Sequence, residues 1–312
     1  MSEQINIMLE KVIQNVERVI IGKRGAIELA LCSFLCAGHV LIEDMPGVGK
    51  TSLVSAMAKS FDCSFRRIQF TPDILPSDIT GFSMYNQKTG EFEYHQGAVM
   101  SQIILADEIN RTSPKTQSSL LEVMEENQVT VDGKTHMVPH PFIVFATQNP
   151  IEYLGTYPLP EAQLDRFFMR ISLGYPDAAE EARMLTLFKE NNPMKGLQSV
   201  ADTEQLLEAQ RKVTKVYVDE KINTYIVAIV RATRQSPDVA LGGSPRSSLC
   251  LYRAAQAWAL YNKRDYVMPD DVIKMAVPVL EHRLVFKQEV RLKQLTSKDI
   301  VESCLKSVRI PM

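Results

Sequence analysis

A glycine-rich segment that ends in a lysine and two hydroxyl residues could bind the phosphates of a nucleotide. Its members are Pro46, Gly47, Val48, Gly49, Lys50, Thr51 and Ser52. The segment follows the apolar run 40–43 and precedes a helical pattern over 51–60, which is the strand–loop–helix context of a phosphate loop. Backbone N–H groups and the positive end of the helix dipole would bind phosphate oxygens. Lys50 would reach the β- and γ-phosphates, and the Thr51 hydroxyl would bind Mg²⁺.

One residue departs from the usual phosphate-loop pattern, which has glycine at the position of Asp44. Pro46 and Gly47 keep a tight turn plausible at this point in the chain. A strand-to-helix turn that binds nothing is the alternative interpretation, and the flanking strand and helix patterns argue against it.

Two adjacent carboxylates, Asp107 and Glu108, follow the apolar run 101–106. Strand ends in open α/β sheets point to the ligand crevice, and two buried carboxylates are costly without a cation or donors. We therefore expect Asp107 to hold Mg²⁺ through water and Glu108 to deprotonate the attacking water. A strand end that turns into solvent is the alternative. Asn149 follows the next buried run, 141–147, and its amide could contact the γ-phosphate and the attacking water. An Asn-Pro turn is the alternative; the two roles can coexist, and we favour the functional one.

Three arginines follow these motifs and could stabilise negative charge in a transition state. Arg166 lies in the helical segment 160–168 and Arg170 begins the last predicted strand. Either could act as an arginine finger on a neighbouring subunit, or form a surface ion pair. Arg246 falls in the first turn of a helix over 245–262, where a cation opposes the helix dipole. A bound anion would compensate for that placement, so we expect Arg246 to contact phosphate.

The segment 19–22 is a candidate for the nucleotide base. It lies before the first core helix, and Ile21 and Gly22 could pack against an adenine ring. Ordinary core packing explains the same residues equally well.

The elements that must position these residues alternate in the first half of the chain. Strands are predicted over 40–43, 65–70, 101–106, 141–147 and 168–173, and helices over 3–19, 51–60 and 114–126. This alternation predicts an α/β fold, with a mostly parallel sheet covered by helices on both faces. The segments 80–99 and 128–138 alternate apolar and polar residues around turn signals and are predicted to be inserted β-hairpins.

The pattern becomes helical after residue 176, and no further strand is predicted. Helices are expected over 177–190, 202–215, 219–235, 245–262, 269–286 and 296–306. We therefore divide the chain into an α/β domain over 1–176 and a helical domain over 177–312. The polar segment that follows residue 287 is expected to be solvated.

The composition is that of an ordinary globular chain of 312 residues. Lys+Arg is 35 and Asp+Glu is 37, a net charge of −2, which removes the argument for nucleic-acid binding from a basic chain. No apolar run approaches the ~18 residues that span a bilayer, and no export signal is recognisable, so we expect no membrane segment and a cytoplasmic location. The five cysteines and five histidines show no metal-ligand spacing, which favours free thiols.

Together these motifs resemble those of an AAA+ ATPase, and four longer stretches resemble the MoxR family specifically. The stretches are FTPDILPSDITGF (70–82), ADEINRTSPKTQSSLLEVMEE (106–126), ATQNPIEYLGTYPLPEAQLDRF (146–167) and GGSPR (242–246). The resemblance covers essentially the whole chain, and the motifs occur in the family's order. It implies an AAA+ αβα core with inserted β-hairpins, followed by an all-α lid, and ATP and Mg²⁺ as cofactors.

The resemblance also implies roles for the matching residues. Lys50 and Thr51 match Walker A, Asp107 and Glu108 match Walker B, Asn149 matches sensor 1, Arg166 matches the arginine finger, and Arg246 matches the sensor 2 arginine of the lid. Asp44 at the first phosphate-loop position also occurs in this family. Arg170 remains a rival for the finger role.

The family resemblance implies a chaperone-like ATPase that forms a homo-oligomeric ring, a hexamer, and remodels a protein client. The client could be a von Willebrand factor A domain protein or a metalloenzyme. Alternatives are a nucleic-acid-stimulated motor, a metal-chelatase-type motor subunit, and a scaffold that binds ATP with negligible turnover. The inserted hairpins contain Lys88 and Lys134 but also Glu91, Glu93 and Asp132, a balance that disfavours DNA. The intact Glu108 argues against the scaffold.

Overall fold

The computed structural model describes residues 2–149, 155–189, 193–287 and 295–311. Its strands are β1 (Val40–Glu43), β2 (Phe65–Gln69), β3 (Gly81–Asn86), β4 (Glu91–Gln96), β5 (Ile103–Asp107), β6 (Gln128–Val131), β7 (Lys134–Met137), β8 (Ile143–Gln148), β9 (Met169–Ile171), β10 (Val239–Leu241) and β11 (Val285–Phe286). One parallel sheet has the spatial order β2-β5-β8-β1-β9. The predicted α/β fold with a parallel sheet is therefore confirmed.

Helices cover the sheet and form most of the second half of the chain. They are α1 (Ser2–Glu17), α2 (Arg24–Leu35), α3 (Lys50–Ser60), α4 (Pro76–Thr80), α5 (Pro114–Glu126), α6 (Glu161–Leu164), α7 (Ala178–Phe188), α8 (Pro193–Gly196), α9 (Thr203–Val213), α10 (Glu220–Gln235), α11 (Pro245–Tyr261), α12 (Pro269–Leu280) and α13 (Ser297–Ser307). Both α5 and α11 begin with proline after a serine cap. Ser113 accepts a hydrogen bond from the Thr116 N–H, and Ser244 accepts one from the Ser247 N–H.

The strands β1, β5 and β8 are buried on both faces, as continuous apolar strands require, whereas the edge strand β2 is largely exposed. In β5, Ile103 and Leu105 belong to the same hydrophobic cluster as residues of α1, α2 and α3, whereas Ile104 and Ala106 belong to a second cluster that contains residues of α5. The strand register aligns the carboxyl ends, because Gln69 pairs with Asp107 in neighbouring strands. Polar residues that follow several strands are therefore brought to one edge of the sheet.

Both inserted hairpins are present. β3 pairs antiparallel with β4, and β6 pairs antiparallel with β7. Asp132 and Gly133 both have positive φ, 49° and 74°, as the predicted two-residue turn requires. The Tyr94 ring stacks on the His136 ring with centroids 3.9 Å apart, so the two hairpins contact each other.

The prediction that no strand follows residue 176 is wrong. β10 pairs antiparallel with β11, and the helix predicted over 269–286 ends at Leu280. A 3-10 turn, Glu281–Arg283, then leads into β11. The buried Arg283 guanidinium donates to the carbonyl oxygens of Val279 and Phe168 and pairs with Asp165, so tertiary contacts fix the chain direction here. A strand of two residues is also too short to show a period of two.

The polar segment that follows residue 287 is only partly described by the structure. Part of it, 288–294, lies outside the described residues. Further along, α13 forms where a helix was predicted and buries Ile300, Val301 and Cys304. The prediction that this segment is solvated is therefore wrong at Ile300, whose side chain belongs to the core.

Candidate functional site

The glycine-rich segment connects β1 to the first turn of α3. Gly47 and Gly49 have φ values of 83° and 95°, a left-handed conformation that glycine adopts without steric cost. A Cβ atom at Gly47 would meet no atom within 4 Å, so the space before this loop is open. Lys50 begins α3, and its ammonium donates to the carbonyl oxygen of Asp44 at 2.8 Å. Burial lowers the pKa of Lys50.

The Asp44 side chain points away from the phosphate loop. Its buried carboxylate accepts hydrogen bonds from the backbone N–H groups of Leu173 and Gly174, which follow β9. The non-glycine residue at this position therefore ties the start of the phosphate loop to the segment that leaves the sheet. Because that segment leads to α7, Asp44 connects the loop with the beginning of the helical half of the chain.

A cavity of about 340 Å³ joins the phosphate loop to the carboxyl ends of β2, β5 and β8. Its lining residues are Pro46, Gly47, Gly49, Lys50, Thr51, Ser52, Arg67, Asp107, Glu108 and Asn149. The structure thus places the predicted Walker A, Walker B and sensor 1 side chains around one space. Val48, also predicted to bind the cofactor, packs against the hydrophobic core instead of lining the cavity.

The Asp107 carboxylate is held by two partners. Its Oδ1 accepts a hydrogen bond from the Thr147 hydroxyl at 2.6 Å. Its Oδ2 accepts from the Arg67 guanidinium, with nitrogen–oxygen distances of 2.6 and 3.0 Å. A buried carboxylate needs a cation or hydrogen-bond donors to offset its negative charge. For Asp107, the Arg67 guanidinium and the Thr147 hydroxyl of the same chain provide them.

Glu108 adopts the left-handed conformation, with φ of 58°, which is uncommon for a residue other than glycine. Its N–H donates to the Thr147 hydroxyl at 2.8 Å. Its carboxylate accepts from the Gln69 amide at 2.9 Å and pairs with Arg111 at 3.3 Å. The carboxylate is therefore fixed by side chains from the neighbouring strand and from the turn after β5.

Sequence reasoning missed Arg67, Gln69 and Thr147. Gln69 is the last residue of β2 and Thr147 is the last but one of β8, whereas Arg67 lies in the middle of β2. Gln69 and Thr147 are polar residues near the carboxyl ends of their strands, which is the signal that also marks Asn149, whereas the mid-strand position of Arg67 carries no such signal. Their function depends on the register of β2 against β5, which a single sequence does not specify.

The residues around the cavity fit a magnesium nucleotide. The Thr51 hydroxyl and the Asp107 carboxylate line the same cavity, and such hard oxygen ligands suit Mg²⁺. The open glycine loop at the start of α3 offers the backbone N–H groups that phosphate oxygens prefer.

The segment predicted to hold the base lies beside this loop. The Ile20 side chain comes within 3.7 Å of the position of a Cβ atom at Gly49. Ile21 is buried, and Gly22 lies directly against the Glu180 carboxyl group of α7. Ile21 and Gly22 are therefore close to the phosphate loop, and their role in base binding stays a prediction.

Arg246 does not line the phosphate-loop cavity. Its guanidinium pairs with the Glu125 carboxylate at 2.6 Å, and Arg166 pairs with the same carboxylate at 3.1 Å. These three side chains, with His39 and Met124, surround a separate cavity of about 180 Å³. The anion that offsets Arg246 in the first turn of α11 is thus Glu125. The reason is tertiary: α11 packs against α2 and α12, which brings its first turn to the end of α5.

Arg170 is engaged elsewhere. It pairs with Glu43 at 2.6 Å and with Glu281 at 2.7 Å, and its side chain is 26% exposed. These partners come from β1 and from the turn after α12, so the arginine joins the sheet to the helical half of the chain.

Membrane spans and metal clusters are both absent from the described ranges. No helix there is both long and apolar enough to cross a membrane. In the same ranges, no cluster of three or more His, Cys, Asp or Glu side chains could hold a metal ion.

Comparison with known proteins gives matches along the chain. Residues 39–169 match the ATPase family associated with various cellular activities (AAA), and residues 231–304 match the AAA lid domain. The chain is 51% identical to YeaC of Bacillus subtilis, covering 99% of this chain and 97% of that protein. It is 41% identical to Chaperone MoxR1 of Mycobacterium tuberculosis, covering 97% and 82%. A crystal structure of a candidate ATPase from Cytophaga hutchinsonii superposes with a TM-score of 0.93 at 39% identity, covering 100% and 97%.

Proposed function

The chain belongs to the MoxR family of AAA+ ATPases, and we propose that it hydrolyses ATP to ADP and phosphate in the phosphate-loop cavity. The observation that carries this proposal is the convergence of Lys50, Thr51, Asp107, Glu108 and Asn149 on one space. Phosphoryl transfer depends on positioning and on electrostatic stabilisation, and these residue types supply both.

Each residue of the cavity would have a separate task. Lys50 would exchange the Asp44 carbonyl for phosphate oxygens, and Asn149 would orient the attacking water. Thr51 and Asp107 would hold Mg²⁺, which supplies Lewis-acid charge at the phosphates. Glu108 would take the proton of the water after its carboxylate leaves Gln69.

We further propose that the chain assembles into a homo-oligomeric ring, a hexamer, in which Arg166 and Arg246 contact the nucleotide of the adjacent subunit. Both arginines lie outside their own phosphate-loop cavity and share one carboxylate, which supports a joint role. We prefer Arg166 to Arg170 as the finger, because Arg170 is already held by two carboxylates.

A protein client is the partner that we propose for this motor. The β3–β4 hairpin exposes large apolar side chains, with Phe92 66% and Met84 53% exposed, and such side chains suit contact with another protein. The relative named Chaperone MoxR1 supports a chaperone-like role. We propose that this client is a von Willebrand factor A domain protein or a metalloenzyme. The same proposal includes a cytoplasmic location and a division of the chain into two domains near residue 176.

Glu108→Gln tests the chemistry. This variant should bind ATP but hydrolyse it at least about 100-fold more slowly, because the general base is lost. Turnover by Glu108→Gln at the rate of the unmodified protein would contradict the assignment of the base. A pull-down with this variant in the presence of ATP would identify the client. Strong, salt-sensitive stimulation of ATPase activity by DNA would instead favour a nucleic-acid motor.

Mixing two inactive variants tests the contribution of Arg166 to the adjacent site. Arg166→Ala keeps its own Lys50, and Lys50→Ala keeps its own Arg166. Mixed rings therefore contain sites in which an intact Lys50 faces an intact Arg166, and activity should partly return. Mixed rings that form but remain inactive would contradict the proposal.

A further inference from the structure

One carboxylate, that of Glu125, holds two arginines that are far apart in the sequence. Arg166 follows α6 in the α/β half, and Arg246 is the second residue of α11 in the helical half. Their guanidinium nitrogens lie 3.1 and 2.6 Å from the two Glu125 oxygens. All three side chains are partly exposed, at 31% for Arg166, 43% for Arg246 and 40% for Glu125, so a ligand from outside the chain can reach them.

The backbone beneath these side chains is fixed independently of Glu125. Asp165 accepts hydrogen bonds from the Ser244 hydroxyl and from the buried Arg283, both at 2.9 Å. The segments that carry the two arginines are therefore joined by other contacts. Glu125 acts on the charged ends of the arginines only.

Two guanidinium groups at this spacing repel each other unless an anion lies between them. Arg246 has a second electrostatic disadvantage, since the first turn of α11 is the positive end of a helix dipole. Glu125 offsets both effects. Without it, the arginine ends would separate into solvent and would have to be brought together again for each anion they bind.

We propose that Glu125 is a positioning residue that gathers Arg166 and Arg246 into one unit, which binds the γ-phosphate of ATP held by the adjacent subunit. This inference rests on the proposed function, because it needs a ring in which the arginines face a neighbouring nucleotide. Glu125 itself touches no substrate. It acts by keeping two cations at one point, where a phosphoryl group can accept hydrogen bonds from both.

The test compares Glu125→Gln with Glu126→Gln. Glutamine keeps the size of the Glu125 side chain and removes its charge, whereas Glu126 is exposed and serves as the matched control. We expect Glu125→Gln to lower kcat by about 10-fold or more, on the scale of a lost transition-state contact. The KM for ATP and the ring size should not change, because the phosphate-loop cavity is intact. Glu125→Asp should restore part of the activity.

Mixed rings separate a positioning role from a general loss of structure. Glu125→Gln keeps its own Lys50, so mixing it with Lys50→Ala should restore part of the activity. In an Arg166→Ala/Arg246→Ala background, Glu125→Gln should have no further effect. Equal kcat for the Glu125→Gln and unmodified proteins, or a higher kcat in the variant, would overturn the inference.

The two levels of proposal can fail separately. If Arg166→Ala and Arg246→Ala both keep full activity, the arginines have no role at the adjacent site and the proposed function is wrong on this point. If those variants are inactive and recover in mixed rings while Glu125→Gln is fully active alone, only the role of Glu125 is refuted.

Discussion

Replacing Asp44 by glycine would restore the usual phosphate-loop sequence, yet we expect this change to destabilise the protein. The Asp44 carboxylate accepts from the N–H groups of Leu173 and Gly174, the latter at 3.2 Å. Asp44 and Leu173 are 7% and 6% exposed, so water cannot easily replace the first of these bonds. Gly174 is less buried, and solvent can partly replace the second.

The magnitude follows from these two contacts. A buried hydrogen bond to a charged acceptor contributes about 1.5–3 kcal/mol, and a neutral or solvated one contributes about 0.5–1.5 kcal/mol. Glycine also adds about 0.5–1 kcal/mol through the entropy of the unfolded chain. Asp44→Gly should therefore lower the free energy of unfolding by about 3–5 kcal/mol. Asp44→Asn keeps one acceptor oxygen without the charge, so its cost should be about 1–2 kcal/mol.

Denaturant unfolding and amide hydrogen exchange measure this effect. The midpoint should fall in the order unmodified, Asp44→Asn, Asp44→Gly, and the amides of Leu173 and Gly174 should exchange faster in both variants. Asp73→Gly is the control, since Asp73 is an exposed aspartate. If Asp44→Gly unfolds at the same midpoint as Asp73→Gly and the two amides keep their protection, the assigned contacts contribute nothing and the reasoning is refuted.

Two further predictions concern the carboxylate site and pH. Thr147→Val removes the hydroxyl that bridges Asp107 and the Glu108 N–H, so kcat should fall about 10-fold or more. Thr147→Ser keeps a hydroxyl and should have a kcat near that of the unmodified protein. Equal kcat values for Thr147→Val and Thr147→Ser would contradict this prediction. Burial lowers the pKa of His39 to about 4 and that of His282 well below its ordinary value. In the unfolded chain the histidine pKa is about 6.5, so below that pH the unfolded chain binds more protons than the folded one. The free energy of unfolding should therefore decrease as the pH falls from about 6.5 to about 4. Denaturant midpoints across this range should show a smaller slope for His39→Asn, and an unchanged slope would contradict the role of His39.

The phosphate loop and the ends of the strands could be predicted from the sequence because their signals are local. A glycine-rich turn between a strand and a helix can be recognised from a few consecutive residues. Parallel strands bring their carboxyl ends together in any register close to the observed one. The sequence alone therefore predicts that Lys50, Asp107 and Asn149 lie near one another. Only the structure shows which strands lie side by side, in the order β2-β5-β8-β1-β9.

The position of Arg246 could not be predicted in this way. Its local signal, a cation in the first turn of a helix, indicates a nearby anion but does not identify it. The anion in the structure, Glu125, is 121 residues away in the sequence. Which anion lies there depends on how α11 packs against α2, and this packing is a property of the whole fold. The contact between Arg67 and Asp107 could not be predicted for a similar reason, since it depends on the register of β2 against β5.

The charges that line the phosphate-loop cavity argue for a contribution from a second subunit. Among the lining residues the cations are Lys50 and Arg67, and Arg67 already neutralises Asp107 at 2.6 Å. Charge that develops on the transferred phosphoryl group needs additional donors. Arg166 and Arg246 provide two, but they lie together at Glu125, outside their own cavity. In the proposed ring, each cavity would therefore be completed by a neighbour, and because Arg246 belongs to the helical half, the position of that half in one subunit would control hydrolysis in the next.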